Sequence, residues 1–185
     1  MKRRNLIVTL TLSALFCTLI CISSFIRIPM PNMMPVTLQT FFVLLTGLVL
    51  PLKASALAIT TYIALGLIGL PIFSGGGGLG YVILPNFGFI IGFLIATVII
   101  SVVTETHKYS KLWQYIVISL LGITIIYIIG VFYFAFITNV HNNNDYSTIL
   151  FIQTVFLPFL PKEIICTILA SLSAYKIRPY ITKFS

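Results

Sequence analysis

The chain alternates long apolar blocks with short polar breaks, and the block lengths are those of membrane-spanning helices, which need about 20 predominantly apolar residues. The first block runs roughly from Leu6 to Ile26 and ends at Arg27 and the prolines of RIPMPNMMP. A second covers about Val36 to Leu50, stopped by Pro51 and Lys53, and a third about Ala54 to Leu70, stopped by Pro71. Beyond the glycine run, a fourth extends from about Pro85 to Val103 and closes at the polar ETHKYSK. The fifth runs from about Leu112 to Phe136 and stops at NVHNNNDYS. The last block, Thr148 to Ala174, contains Pro158 and Pro161. Its first part is predicted to be a loop or short interfacial helix, with the span beginning near Pro161, because proline suits a helix start and breaks a helix interior. The expected fold is an all-α membrane protein of six transmembrane helices. Residues 1–185 would form a single substrate-binding domain, its last helix interrupted by prolines near the outer end.

Composition supports this reading. Of the 185 residues 59% are hydrophobic and 8% charged, and the mean hydropathy is +1.12. So few charges cannot cover the surface of a water-soluble domain of this size. The net charge of +8 does not imply nucleic acid, because the basic residues are scattered between apolar runs. With the amino terminus in the cytoplasm, the inner segments hold Lys2, Arg3, Arg4, Lys53, Lys108, Lys111, Lys176, Arg178 and Lys183. The outer side holds only Arg27 and Lys162. That asymmetry puts both termini in the cytoplasm. The basic start MKRR resembles that of a signal peptide, but the apolar run after it is too long for one and no small-residue cleavage site follows, so a retained first helix is expected. Cys17, Cys21 and Cys166 lie in apolar stretches without metal-ligand spacing and read as small buried residues.

Four features carry candidate chemistry. Gly75-x-Gly77-x-x-Gly80 matches a dinucleotide fingerprint by letters, yet it lacks the preceding strand and the acidic residue about 20 positions on; no Gly-Lys-Ser/Thr follows for a phosphate loop either. The run Ser74, Gly75, Gly76, Gly77, Gly78 is either a flexible connector or, more sharply, a substrate-binding loop in which backbone approaches a ligand, with Phe73 and Tyr81 flanking it. Glu163 lies inside FLPFLPKEIICTILA, where an ionisable group is costly and marks a functional site by default. It also reads as a carboxylate at a helix mouth, stabilised by the dipole. Lys162 beside it is a snorkelling residue or an anion partner. In PVTLQ, Thr37 suits a helix cap and Gln39 a polar ligand in a dry cavity. On the first helix Ser13/Cys17 and Ala14/Thr18 are small pairs four residues apart, which allow close contact with another helix. Glu105 and Asp145 fall in polar breaks and are expected to be solvated.

PVTLQT, then GLIGLPIFSGGGGLGYVILPNFGFIIGF, then FLPKEIICTILASLSA together resemble the BioY family of biotin transporters, nearly along the whole chain in order and spacing. Such proteins are substrate-binding S components of energy-coupling factor (ECF) transporters. The resemblance implies a subunit of the bacterial cytoplasmic membrane that binds biotin near its outer face and works with a membrane coupling subunit and a pair of ATPases. No cofactor of its own is implied, nor any enzyme activity. The first-helix pairs Ser13/Cys17 or Ala14/Thr18 would be where the coupling subunit docks. Where the family commonly has Asp and Lys at the last helix, this chain has Glu163 and Cys166, and Lys162, four residues before Cys166, stands in for the Lys. Gly77 takes the place of an Asn that some members have in the glycine loop.

The resemblance thus assigns biotin's ureido N–H groups to Glu163 and its fused ring to Phe73 and Tyr81. Its carboxylate goes to Lys162 or loop N–H groups, and the glycine loop closes over the ligand. Side chains added at Gly76 or Gly77 are then expected to weaken binding without unfolding the protein. The alternatives are a different small vitamin-like substrate or a self-powered secondary transporter, which typically shows internal repeats and midplane charges.

Overall fold

The computed structural model describes residues 2–28, 35–107, 109–142 and 157–181. The apolar blocks fold as six α-helices among these residues: α1 (Lys2–Phe25), α2 (Gln39–Val49), α3 (Leu52–Ile68), α4 (Phe87–Thr106), α5 (Leu112–Asn142) and α6 (Leu157–Ile181). Among the described residues three segments are long and apolar enough to cross a membrane, Leu6–Phe25, Phe87–Thr106 and Leu112–Thr138, whereas Gln39–Val49 and Leu52–Ile68 are shorter apolar helices.

The shortest helix is the most enclosed. α2 touches α1, α3, α4, α5 and α6, and Val43, Leu44 and Leu48 are fully buried, as befits a helix whose middle is apolar on most sides. Its 11 residues rise only about 16 Å at 1.5 Å per residue, roughly half of a 30 Å hydrocarbon core. The predicted span from Val36 is therefore cut short. Val36–Thr37 instead pairs antiparallel with Arg27–Ile28 (β2 and β1), in the register Arg27 opposite Thr37 and Ile28 opposite Val36. Nor does Thr37 cap α2, since the capping position is Leu38, without a side-chain cap bond.

α6 also departs from expectation. It begins at Leu157 and runs unbroken through Pro161, so the prolines do not interrupt it. Pro158 falls in the first turn, where N–H groups have no intrahelical acceptor, and Pro161 forfeits about one bond beyond it. Glu163 consequently sits in the second turn rather than at the helix mouth, away from the strongest part of the dipole. The expected loop or interfacial helix after Thr148 lies outside the described residues up to 156.

The other ends of the helices are tied by charge. Arg178 of α6 donates to the carbonyls of Leu48 and Thr104, at the carboxyl ends of α2 and α4. Glu105 lies in the last turn of α4 rather than in a break; it is exposed, as expected, and its Oε2 accepts from Leu52 N–H at 3.2 Å, at the start of α3.

Candidate binding site

Because α2 stops short, a cavity opens where the α1–α2 connection, the α3–α4 loop and the start of α6 meet. Its void, counted out through its open mouth into the surroundings, is about 610 Å³. α4 contributes Phe89, Ile90 and Phe93 to the wall, α5 Ile126 and Tyr127, and α6 Phe159, Lys162 and Glu163. Polar groups come from Thr37, Gln39, Thr40, Ser74 and Asn86, and Pro35 completes the lining.

Glu163 is the centre of the polar side. It is 4% exposed, so its charge must be paired and hydrogen-bonded to be tolerated. One oxygen meets that demand three times over. Oε1 lies 2.6 Å from Lys162 Nζ and accepts from Thr40 Oγ1 at 3.3 Å and Tyr127 Oη at 3.2 Å. The other oxygen, Oε2, is buried and accepts from no group among the described residues. An acceptor buried in that state costs about 1–3 kcal/mol, more when charged, and a ligand N–H removes the penalty.

Lys162 is fully engaged. An ammonium has three donors, and Nζ meets Glu163 Oε1, the Thr37 carbonyl at 3.3 Å and Thr40 Oγ1 at 3.3 Å. It also lies 5.9 Å from the centre of the Phe159 ring. Gln39 lines the cavity while its Nε2 donates to Tyr62 Oη at 2.7 Å and its Oε1 accepts from Thr37 Oγ1 at 3.3 Å. Glu163, Lys162 and Gln39 are thus brought together on one wall.

The glycine loop is arranged differently from the expected lid. Phe73 and Gly76 exchange backbone bonds, Phe73 N–H to Gly76 O at 2.9 Å and Gly76 N–H to Phe73 O at 3.1 Å, which closes a tight turn over Ser74 and Gly75. Gly78 N–H then donates to Gly66 O at 2.7 Å, fastening the loop to the end of α3. Gly76 and Gly78 take φ of +129° and +97°. At Gly77 a side chain has no room, because a Cβ would stand 2.1 Å from the Leu70 carbonyl oxygen. The expectation that a side chain there spares the fold is corrected on that ground.

Phe73 and Tyr81 do not stand on the cavity wall. Phe73 inserts where Gly66 leaves space on α3, a Cβ there falling 2.1 Å from the ring. The ring packs edge-on to Tyr62 at 5.4 Å and lies 4.8 Å from the Tyr81 ring. Both aromatics belong to the core. Of the run from Ser74 to Gly78, Ser74 lines the cavity, and Gly75, Gly76, Gly77 and Gly78 form the turn behind it.

The two small pairs on α1 part company. Ser13 and Cys17 are buried, and Ser13 Oγ donates to Thr9 O and across to Ala54 O of α3, at 2.7 and 2.9 Å. That pair is taken up in packing within the chain. Ala14 and Thr18 face outward.

Thr40, Tyr127, Asn86, Phe159 and the α4 side chains escaped the sequence reading. One of them left a signal, because Tyr127 is a phenol in the middle of TIIYIIG, and a buried hydroxyl seeks a partner. Cys166 is buried and not part of the cavity wall.

A model described as the BioY family matches residues 1–183. The chain is 34% identical over 167 residues to "Biotin transporter BioY" of Thermotoga maritima, covering 90% of this chain and 93% of that protein. It is 36% identical over 143 residues to "Probable biotin transporter BioY" of Lysinibacillus sphaericus, covering 77% and 72%. Among solved structures, a crystal structure at 2.1 Å of the S-component for biotin from an ECF-type ABC transporter matches with a TM-score of 0.84. The identity there is 27%, over 97% of this chain and 95% of that one.

Proposed function

The chain belongs to the BioY family, and from that premise we propose that biotin binds in the cavity around Glu163, whose free oxygen accepts a ureido N–H. The protein is the biotin-binding membrane subunit of an uptake system, a transporter component and not an enzyme. The observation that carries the site assignment is Oε2 of Glu163, buried and without a partner among the described residues, beside an open cavity lined by aromatic and polar side chains. A cyclic urea offers two N–H donors, and a carboxylate held at one oxygen by Lys162, Thr40 and Tyr127 presents its other oxygen in a fixed direction. Phe89, Ile90, Phe93 and Ile126 supply apolar wall for the fused ring. Enclosure from water strengthens the polar contacts.

The finer topology is part of the same proposal. One domain of six spans, with both termini in the cytoplasm, is supported by the charge asymmetry along the chain. The cavity then opens on the outer face of a bacterial cytoplasmic membrane. An ECF coupling subunit and a pair of ATPases power uptake, and the outward pair Ala14/Thr18 is the α1 contact left for the coupling subunit.

The test is equilibrium binding of radiolabelled biotin to the purified chain in lipid nanodiscs, with two competitors. Desthiobiotin keeps the cyclic urea, whereas lipoate keeps a sulfur ring and pentanoate tail without it. Saturable binding displaced by desthiobiotin and not by lipoate is expected. Absent saturable binding, or lipoate competing as well as desthiobiotin, would defeat the proposal.

A further inference from the structure

Resting on the assignment of biotin to this cavity, a second polar requirement follows, because the ligand ends in a carboxylate. Lys162 does not meet it: its three donors already have three acceptors in Glu163, Thr37 and Thr40. An anion drawn to Nζ would displace one of them and loosen the carboxylate that holds the other end of the ligand. The remaining described cations, Lys53, Lys111, Lys176 and Arg178 among them, belong to the opposite ends of their helices. One does not.

Two independent observations tie Arg27 to residues of the cavity wall. In the β1–β2 pairing it lies opposite Thr37, a wall residue. Its guanidinium donates across to the carbonyl of Ser74, a wall residue contributed by the glycine loop. A guanidinium has five N–H donors in a planar fork matched to carboxylate geometry, and Ser74 O takes one of its nitrogens. Among the described residues the others meet no acceptor. The side chain is exposed, so its remaining donors are accessible beside the wall residues Thr37 and Ser74, toward which an anionic tail would extend from a ligand anchored at Glu163.

We propose that Arg27 is a specificity-determining residue that receives the ligand's carboxylate, selecting a carboxylate-tailed molecule over its neutral-tailed analogue. The bond to Ser74 O holds the guanidinium beside the cavity wall, which joins the glycine loop to recognition through its first residue rather than through its glycines.

Dissociation constants for biotin and for biotinamide, whose tail is neutral, test this with wild type, Arg27→Gln and Arg27→Lys in nanodiscs. Arg27→Gln is expected to weaken biotin by about 3- to 10-fold, the scale of a charge-assisted contact partly screened by solvent. Biotinamide should stay within about 2-fold of wild type on the same reasoning, and Arg27→Lys should recover part of the loss. Unchanged biotin affinity in Arg27→Gln overturns the proposal. So does an equal loss for both ligands, which would mean that Arg27 only braces the loop. A wild type that binds biotin while either of these holds leaves the cavity assignment standing, whereas a wild type that does not bind biotin overturns both.

Discussion

Replacing Gly77 by alanine should unfold the protein at a lower temperature, because the glycine loop is a fixed wall. The added Cβ would lie 2.1 Å from Leu70 O, 2.8 Å from Leu70 C and 3.0 Å from Gly66 O. Comfortable heavy-atom contact is about 3.5–4.0 Å, so the loop and the end of α3 must separate by roughly 1 Å or more. Those carbonyls are in use. Leu70 O accepts from Ile72 N–H at 2.8 Å and Gly66 O from Gly78 N–H at 2.7 Å, and weakening both costs about 1–3 kcal/mol at 0.5–1.5 kcal/mol each. Overpacking strain of about 1–3 kcal/mol adds to this, for a total of roughly 2–6 kcal/mol. At about 2–4 °C per kcal/mol for a chain of this size, Tm should fall by roughly 4–24 °C. The assay is thermal unfolding in detergent followed with a thiol-reactive dye, since Cys17 and Cys166 are buried in the native state. Gly75→Ala is the control, because its Cβ meets only the Tyr81 ring at 3.4 Å, an ordinary contact. A Gly77→Ala protein melting within about 2 °C of wild type, under 1 kcal/mol by the same conversion, would refute the packing argument and restore a loose loop.

Tyr62→Phe removes the hydroxyl that accepts from Gln39 Nε2 at 2.7 Å in a fully buried position. The stranded amide should cost about 1–3 kcal/mol, read as a lower Tm with the ring packing on Phe73 retained; an unchanged Tm contradicts it. Ala14→Trp puts bulk on the outward face of α1. Biotin binding by the isolated subunit should survive while co-purification with the coupling subunit is lost, and intact co-purification would move the docking face elsewhere.

Much of the fold was legible because apolar block length is a strong constraint: in lipid every backbone group must be satisfied within a helix. What stayed hidden depended on partners distant in sequence. A two-residue ribbon such as Arg27–Ile28 with Val36–Thr37 has no periodicity to read. Ser13/Cys17 and Ala14/Thr18 have the same spacing and similar size, and the inward pair is distinguished by burial and by the bond from Ser13 to Ala54 O on another helix. Glu163 was visible because a carboxylate in an apolar run is costly wherever it points. Phe73 misled because aromatics flanking glycines suit a ligand, whereas the space it fills was made by Gly66 on another element. Arg27 read only as a helix stop, and only the structure ties its guanidinium to the carbonyl of Ser74, a cavity-wall residue 47 positions away.

The central claim is that Oε2 of Glu163 takes a ureido N–H, and the most direct measurement is the dissociation constant for biotin of wild type against Glu163→Gln in nanodiscs. Glutamine keeps the size of the side chain and removes its charge. A hydrogen bond to a charged group contributes about 1.5–3 kcal/mol, and each 1.4 kcal/mol is tenfold. Affinity should therefore fall roughly 10- to 150-fold. Biotin bound by Glu163→Gln within about 2-fold of wild type, a difference under 0.5 kcal/mol, would contradict the account.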